Sequence, residues 1–106
     1  MMTLIINIVS MLRKGNAMTD KPTVLITGAS TGIGAAYAER FARRGHDLVL
    51  VARNTARMEA LADRLRRDTG VTIDIVAADL VDPAERAVVE ARLRDDARIG
   101  ILINNA

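Results

Sequence analysis

From residue 23 onward, unbroken apolar runs alternate with stretches whose apolar positions recur every three or four residues. Thr23, Val24, Leu25 and Ile26 form such a run, which predicts a buried strand over 23–27. A helix is predicted over about 32–44, where Ile33, Tyr37 and Phe41 fall on one face at a spacing of four and Gly45 ends the pattern. A second strand is predicted over 47–51. Asn54 then caps a helix over 55–68, in which Met58, Leu61, Ala62 and Leu65 make a stripe at i, i+3, i+4 and i+7, closed by Gly70. A third strand spans 71–77. Asp82, Pro83 and Glu85 open a third helix as N-cap, first helical residue and N3 of a capping-box-like arrangement. A fourth strand spans 99–103.

Strict alternation of strand and helix predicts parallel strands joined by right-handed crossovers. The expected architecture is α/β: a doubly wound parallel sheet of four strands in the order 3-2-1-4, with two helices on one face and one on the other. Ligands of such sheets bind at the C-terminal strand ends, where the order reverses between strands one and four. The fourth strand is expected to leave a bare apolar edge and a contiguous apolar patch that favours aggregation.

Residues 1–22 read differently, as an N-terminal extension before a single domain over 23–106. The stretch from Leu4 to Leu12 is mostly apolar but too short to span a bilayer. Its basic residues, Arg13 and Lys14, follow the apolar stretch rather than precede it, unlike a signal peptide. Met18 stands just before a natural lead-in to the first strand and is the expected true start.

Composition narrows the function classes. Half of the 106 residues are hydrophobic, yet Phe41 and Tyr37 are the only aromatics, so aliphatic side chains must build the core. A net charge of +2, with no basic block and no aromatic platforms, argues against nucleic-acid binding. Without cysteine there is neither a disulfide framework nor a thiolate metal site, and one histidine, His46, makes any metal site improbable. A cytoplasmic setting is expected.

Chemistry enters with Thr27-Gly28-Ala29-Ser30-Thr31-Gly32-Ile33-Gly34, placed between the first strand and the first helix. Gly28 permits the turn off the strand, Gly32 lets backbone approach a pyrophosphate, and Gly34 lets the helix pack closely. The free N–H groups and dipole at the helix start attract phosphate, with Ser30 and Thr31 as further donors. No Gly-Lys-Ser/Thr follows, which excludes a P-loop kinase. A Rossmann-like dinucleotide site is therefore expected.

Four elements together resemble the short-chain dehydrogenase/reductase family: the glycine run, Ala52-Arg53 after the second strand, Ala78-Asp79-Leu80 after the third, and Asn104-Asn105-Ala106 at the fourth. The resemblance implies binding of NAD or NADP and hydride transfer to or from alcohols and carbonyls. It places Gly28, Ser30, Thr31, Gly32, Ile33 and Gly34 at the phosphates, Asp79 and Leu80 at the adenine, and Asn105 beside the cofactor ribose, with Asn104 tying strand ends together. An acid at the end of the second strand would hold the ribose hydroxyl of NAD. Ala52 occupies that position, and Arg53 can pair with a 2′-phosphate, so NADP is the expected cofactor.

The family's catalytic Ser and Tyr-x-x-x-Lys are not present. Tyr37, the only tyrosine, has Phe41 four residues later and is expected to pack, while His46 falls at the end of the sheet opposite the ligand. No residue of this chain is therefore expected to be catalytic. The leading reading is the cofactor-binding N-terminal part, truncated before the catalytic half, of an NADP-dependent oxidoreductase whose parent acts on a small alcohol or carbonyl and can form homo-oligomers. A non-catalytic nucleotide-binding module that associates with another chain is the alternative. A methyltransferase-like unit would want an acid where Arg53 stands.

Overall fold

The computed structural model describes residues 4–8, 21–29 and 32–105. Its elements are β1 (Leu4–Ile8), β2 (Thr23–Thr27), α1 (Gly32–Arg43), β3 (Leu48–Ala52), α2 (Thr55–Thr69), β4 (Ile73–Ala77), α3 (Pro83–Asp95) and β5 (Ile99–Asn105). The strands form one sheet in the order β1-β5-β2-β3-β4. Within it β4, β3, β2 and β5 run parallel, the 3-2-1-4 order of a Rossmann-like sheet.

The bare fourth-strand edge is a corrected expectation. β1 lies antiparallel along β5, from Leu4 opposite Asn105 to Ile8 opposite Ile101. An edge strand offers a row of unpaired N–H and C=O groups, and an antiparallel segment satisfies them without a crossover helix. Residues 9–20, Met18 included, lie outside the described residues.

The central strands β2 and β3 are buried along their whole length because both faces are covered. Their side chains alternate between two cores. Val24, Ile26, Leu48 and Leu50 pack with Ala38, Ala42, Met58, Ala62 and Leu65 from α1 and α2. Leu25, Val49 and Val51 face the other way, toward Val89 of α3. The second helix uses part of its expected stripe, burying Met58, Ala62 and Leu65 with Leu61 at the margin.

The first helix departs from expectation. Its buried residues are Gly34, Ala38 and Ala42, whereas Ile33 is 44% exposed and Tyr37 and Phe41 are only partly buried at the rim of the core. At Gly34 the helix lies so close to the turn after β2 that a Cβ would clash, the small Ala38 and Ala42 continue the buried seam, and the larger side chains flank it. A hydrophobic period alone does not reveal so close an approach.

The third helix buries only Val89, so its face of the sheet has the thinner apolar cover. Ion pairs add to its anchorage. Arg92 bridges Asp74 on β4 at 2.6 Å and Asp96 at 3.0 Å, and Arg98 also pairs with Asp96 at 2.9 Å. The Arg98 guanidinium, with help from the Arg98 N–H and from Arg92, holds the Asp96 carboxyl well below the usual carboxylate range, against the opposing effect of burial. A lowered folded-state pKa stabilises above the ordinary aspartate range and is lost as pH falls through and below it. Asp96→Asn is expected to cost about 1–3 kcal/mol at neutral pH. In urea unfolding, the gap to the unsubstituted chain should narrow below pH ~4. A gap that does not change with pH would contradict this role.

Candidate functional site

The C-terminal ends of β2, β3, β4 and β5 open into a cleft of about 660 Å³. Gly28, Arg53, Asp79, Leu80 and Asn105, five of the residues singled out from sequence, all line it. It stands where the strand order reverses between β2 and β5, the usual ligand position in such sheets.

The glycines have distinct physical roles. Gly28 has φ +63°, and a Cβ there would fall 2.0 Å from the Asn105 carbonyl oxygen. A Cβ on Gly34 would fall 2.2 Å from the Gly28 carbonyl oxygen, so these two positions draw the turn, β5 and α1 together. Gly32 differs, with φ +56° and, among the described residues, nothing within 4 Å of its Cβ position. Open space there adjoins the first turn of α1, which carries no acidic side chain. Free N–H groups beside open space suit an anion. Ile33 follows in the same turn, whereas Ser30 and Thr31 lie outside the described residues.

Thr27 ties the strand ends together. It is 3% exposed, and its Oγ1 donates to Asn104 Oδ1 at 2.8 Å and accepts from the Asn105 N–H at 3.0 Å. Asn105 Nδ2 in turn donates to the Gly28 carbonyl at 3.3 Å. Both asparagines therefore brace the loop. Asn105, itself 6% exposed, keeps Oδ1 without a hydrogen-bond partner among the described residues. A buried acceptor left open at a cleft marks a place for a ligand donor or water.

The far side of the cleft is a preformed turn. Ala78 N–H donates to Ala52 O and Asp82 N–H to Asp79 O. Val81 N–H donates to Asp79 Oδ1 at 3.0 Å. The capping box expected within α3 does not form. Asp82 does cap the helix, accepting from Ala84 and Glu85, but Glu85 Oε1 reaches past it to the Asp79 N–H at 3.0 Å. The Asp82 N–H is already used in the turn, so Glu85 serves the residue with a free donor. Leu80 N–H is then the backbone donor of residues 78–82 with no partner among the described residues. A carboxylate acceptor and a free N–H thus stand side by side, complementary to a flat base edge that offers one donor and one acceptor.

Arg53 is exposed at the end of β3 and forms no ion pair among the described residues. Asn54, read from sequence only as a cap, both accepts from Arg57 N–H at 3.3 Å and lines the cleft. Val81, 84% exposed, also lines it and carried no signal in the sequence. Thr27 could have been suspected, because a hydroxyl ending a buried apolar run needs partners. His46 sits away from the cleft, with Nδ1 2.8 Å from Pro22 O and its ring edge-on to Phe41. Tyr37 stacks on Phe41.

Thr27→Val keeps the shape but strands the Asn105 N–H and Asn104 Oδ1. A loss of about 1–3 kcal/mol in urea unfolding is expected, with Thr27→Ser recovering most of it. Equal losses for both variants would show that the hydroxyl carries no weight.

Comparison with known proteins agrees with this geometry. Residues 22–106 match the family described as short chain dehydrogenase. The chain is 38% identical over 81 residues to human 17-beta-hydroxysteroid dehydrogenase type 3, which covers 76% of this chain and 26% of that protein. It is similar in structure to a bulky-bulky ketone specific alcohol dehydrogenase from Comamonas testosteroni, with TM-score 0.77 and 63% identity over 77% of this chain and 33% of the other. It is also similar to a short-chain dehydrogenase from Sphingobium yanoikuyae in complex with NADPH, with TM-score 0.74 and 68% identity over 74% and 31% of the two chains. The chain thus spans about a quarter to a third of the length of these relatives. With residues 22–106 matched to the family and the glycine run and parallel sheet order in place, the chain belongs to the short-chain dehydrogenase family.

Proposed function

We propose that this chain is the cofactor-binding part of an NADP(H)-dependent oxidoreductase that moves hydride between the dinucleotide and an alcohol or carbonyl. The observation that carries the choice of NADP is the exposed Arg53 beside Ala52, which forms no ion pair among the described residues. A carboxylate at the end of this strand would hold the ribose hydroxyl of NAD and repel a 2′-phosphate. Ala52 offers no such charge, and Arg53 can donate two N–H bonds to a phosphate. The NADPH bound by the Sphingobium yanoikuyae relative supports the same assignment.

The chain's residues divide the work of binding. The first turn of α1, with Gly32, Ile33 and the hydroxyls of Ser30 and Thr31, holds the pyrophosphate. Gly28 and Gly34 let that turn close on β5. Asp79 accepts from the adenine amino group and Leu80 N–H donates to the ring, as their free acceptor and donor favour. Asn105 Oδ1 accepts from the cofactor ribose. NADP(H), when bound, supplies or accepts the hydride. These 106 residues contain no Tyr-x-x-x-Lys, and Tyr37 is engaged with Phe41, so by themselves they bind and do not turn over. In this reading the chain works in the cytoplasm.

Arg53→Ala is expected to weaken NADPH binding roughly tenfold to a hundredfold, since a charge-assisted bond is worth about 1.5–3 kcal/mol, and to leave NADH binding nearly unchanged. Titration calorimetry with both dinucleotides reads the difference. Equal losses would remove Arg53 from the 2′-phosphate and with it the choice of NADP.

A further inference from the structure

We infer that Glu85 is a positioning residue for base recognition, acting through the Asp79–Leu80 turn rather than by touching the cofactor. The inference rests on the dinucleotide reading above. Glu85 belongs to α3, outside the glycine run and the strand ends, and does not line the cleft. Its carboxylate nevertheless crosses from the helix to the Asp79 N–H at 3.0 Å.

Three N–H groups crowd this turn, those of Asp79, Leu80 and Val81. Glu85 takes the first and Asp79 Oδ1 takes the third. Among the described residues Leu80 N–H alone of the three stays open, next in the chain to the Asp79 carboxylate. Adenine presents an amino donor next to a ring acceptor, the complement of that pair. Hypoxanthine presents a carbonyl acceptor next to a ring N–H, the opposite polarity on both atoms.

Without Glu85 the Asp79 N–H loses its acceptor while Asp79 remains half-buried. Asp79 Oδ1 already holds the Val81 N–H, so the nearest remedy is for the carboxylate to swing further, onto the Asp79 N–H itself, a bond that short acidic side chains readily make to their own backbone. The acceptor would then leave the cleft, and the polarity that separates adenine from hypoxanthine would weaken. Glutamine keeps an acceptor oxygen at the same reach, so charge and hydrogen bonding can be told apart.

The test uses the whole chain, with Glu85→Ala and Glu85→Gln beside it. Binding of NADPH and of its hypoxanthine analogue is measured by nucleotide fluorescence, and folding is followed by thermal unfolding. The unsubstituted chain should prefer NADPH. Glu85→Ala should bring the ratio of the two affinities down by about threefold to tenfold, the scale of one hydrogen bond, and Glu85→Gln should restore most of it. A helix-capping role alone would lower the melting temperature and weaken both ligands equally. An unchanged ratio in Glu85→Ala, with the chain still folded and still binding NADPH, would overturn the inference and leave the dinucleotide reading standing. Failure of the unsubstituted chain to bind NADPH would overturn that reading and the inference together.

Discussion

Much of this molecule depends on a backbone contact in which no side chain can stand. Gly34 lies against the Gly28 carbonyl, and Gly28 against the Asn105 carbonyl, at separations that a Cβ on either glycine would violate. The contact joins the end of β2, the start of α1 and the end of β5. It also holds the start of α1 against the sheet, and the face that follows is buried through Gly34, Ala38 and Ala42. Thr27 and the two asparagines add directed hydrogen bonds to an approach that packing alone would leave free to slide.

The two ends of the sheet are built for different purposes. Around Asp96 the charges are paired, with arginines satisfying the carboxylate at the foot of α3. At the cleft, polar groups are left open among the described residues: Arg53 without an ion pair, Asn105 Oδ1 without a donor, Leu80 N–H without an acceptor. Leaving buried or half-buried polar groups unpaired costs stability, and proteins accept that cost mainly where a ligand completes the set.

Fold class, strand order and the glycine turn at Gly28 were legible from pattern, because strands, caps and glycine turns have local signatures, whereas Arg53, Asp79, Leu80 and Asn105, which also line the cleft, were singled out through the family resemblance. Three features were not. The burial of Gly34, Ala38 and Ala42 in place of Ile33, Tyr37 and Phe41 depends on helix-to-sheet distance, which no local period encodes. Glu85 carries the spacing of a capping box, but its target depends on which N–H the preceding turn leaves free. The pairing of Leu4–Ile8 with β5 joins segments almost a full chain length apart, and an apolar stretch does not announce its partner.

The glycine contact shapes the cleft at the C-terminal strand ends, where the proposed dinucleotide would sit. Amide chemical-shift mapping of the whole chain during an NADPH titration tests it most directly. The largest shifts should fall on Gly28, Gly32, Arg53, Leu80 and Asn105, with the His46 and Arg98 end of the sheet unchanged. Shifts centred on that opposite end, or none at all from a folded chain, would contradict it.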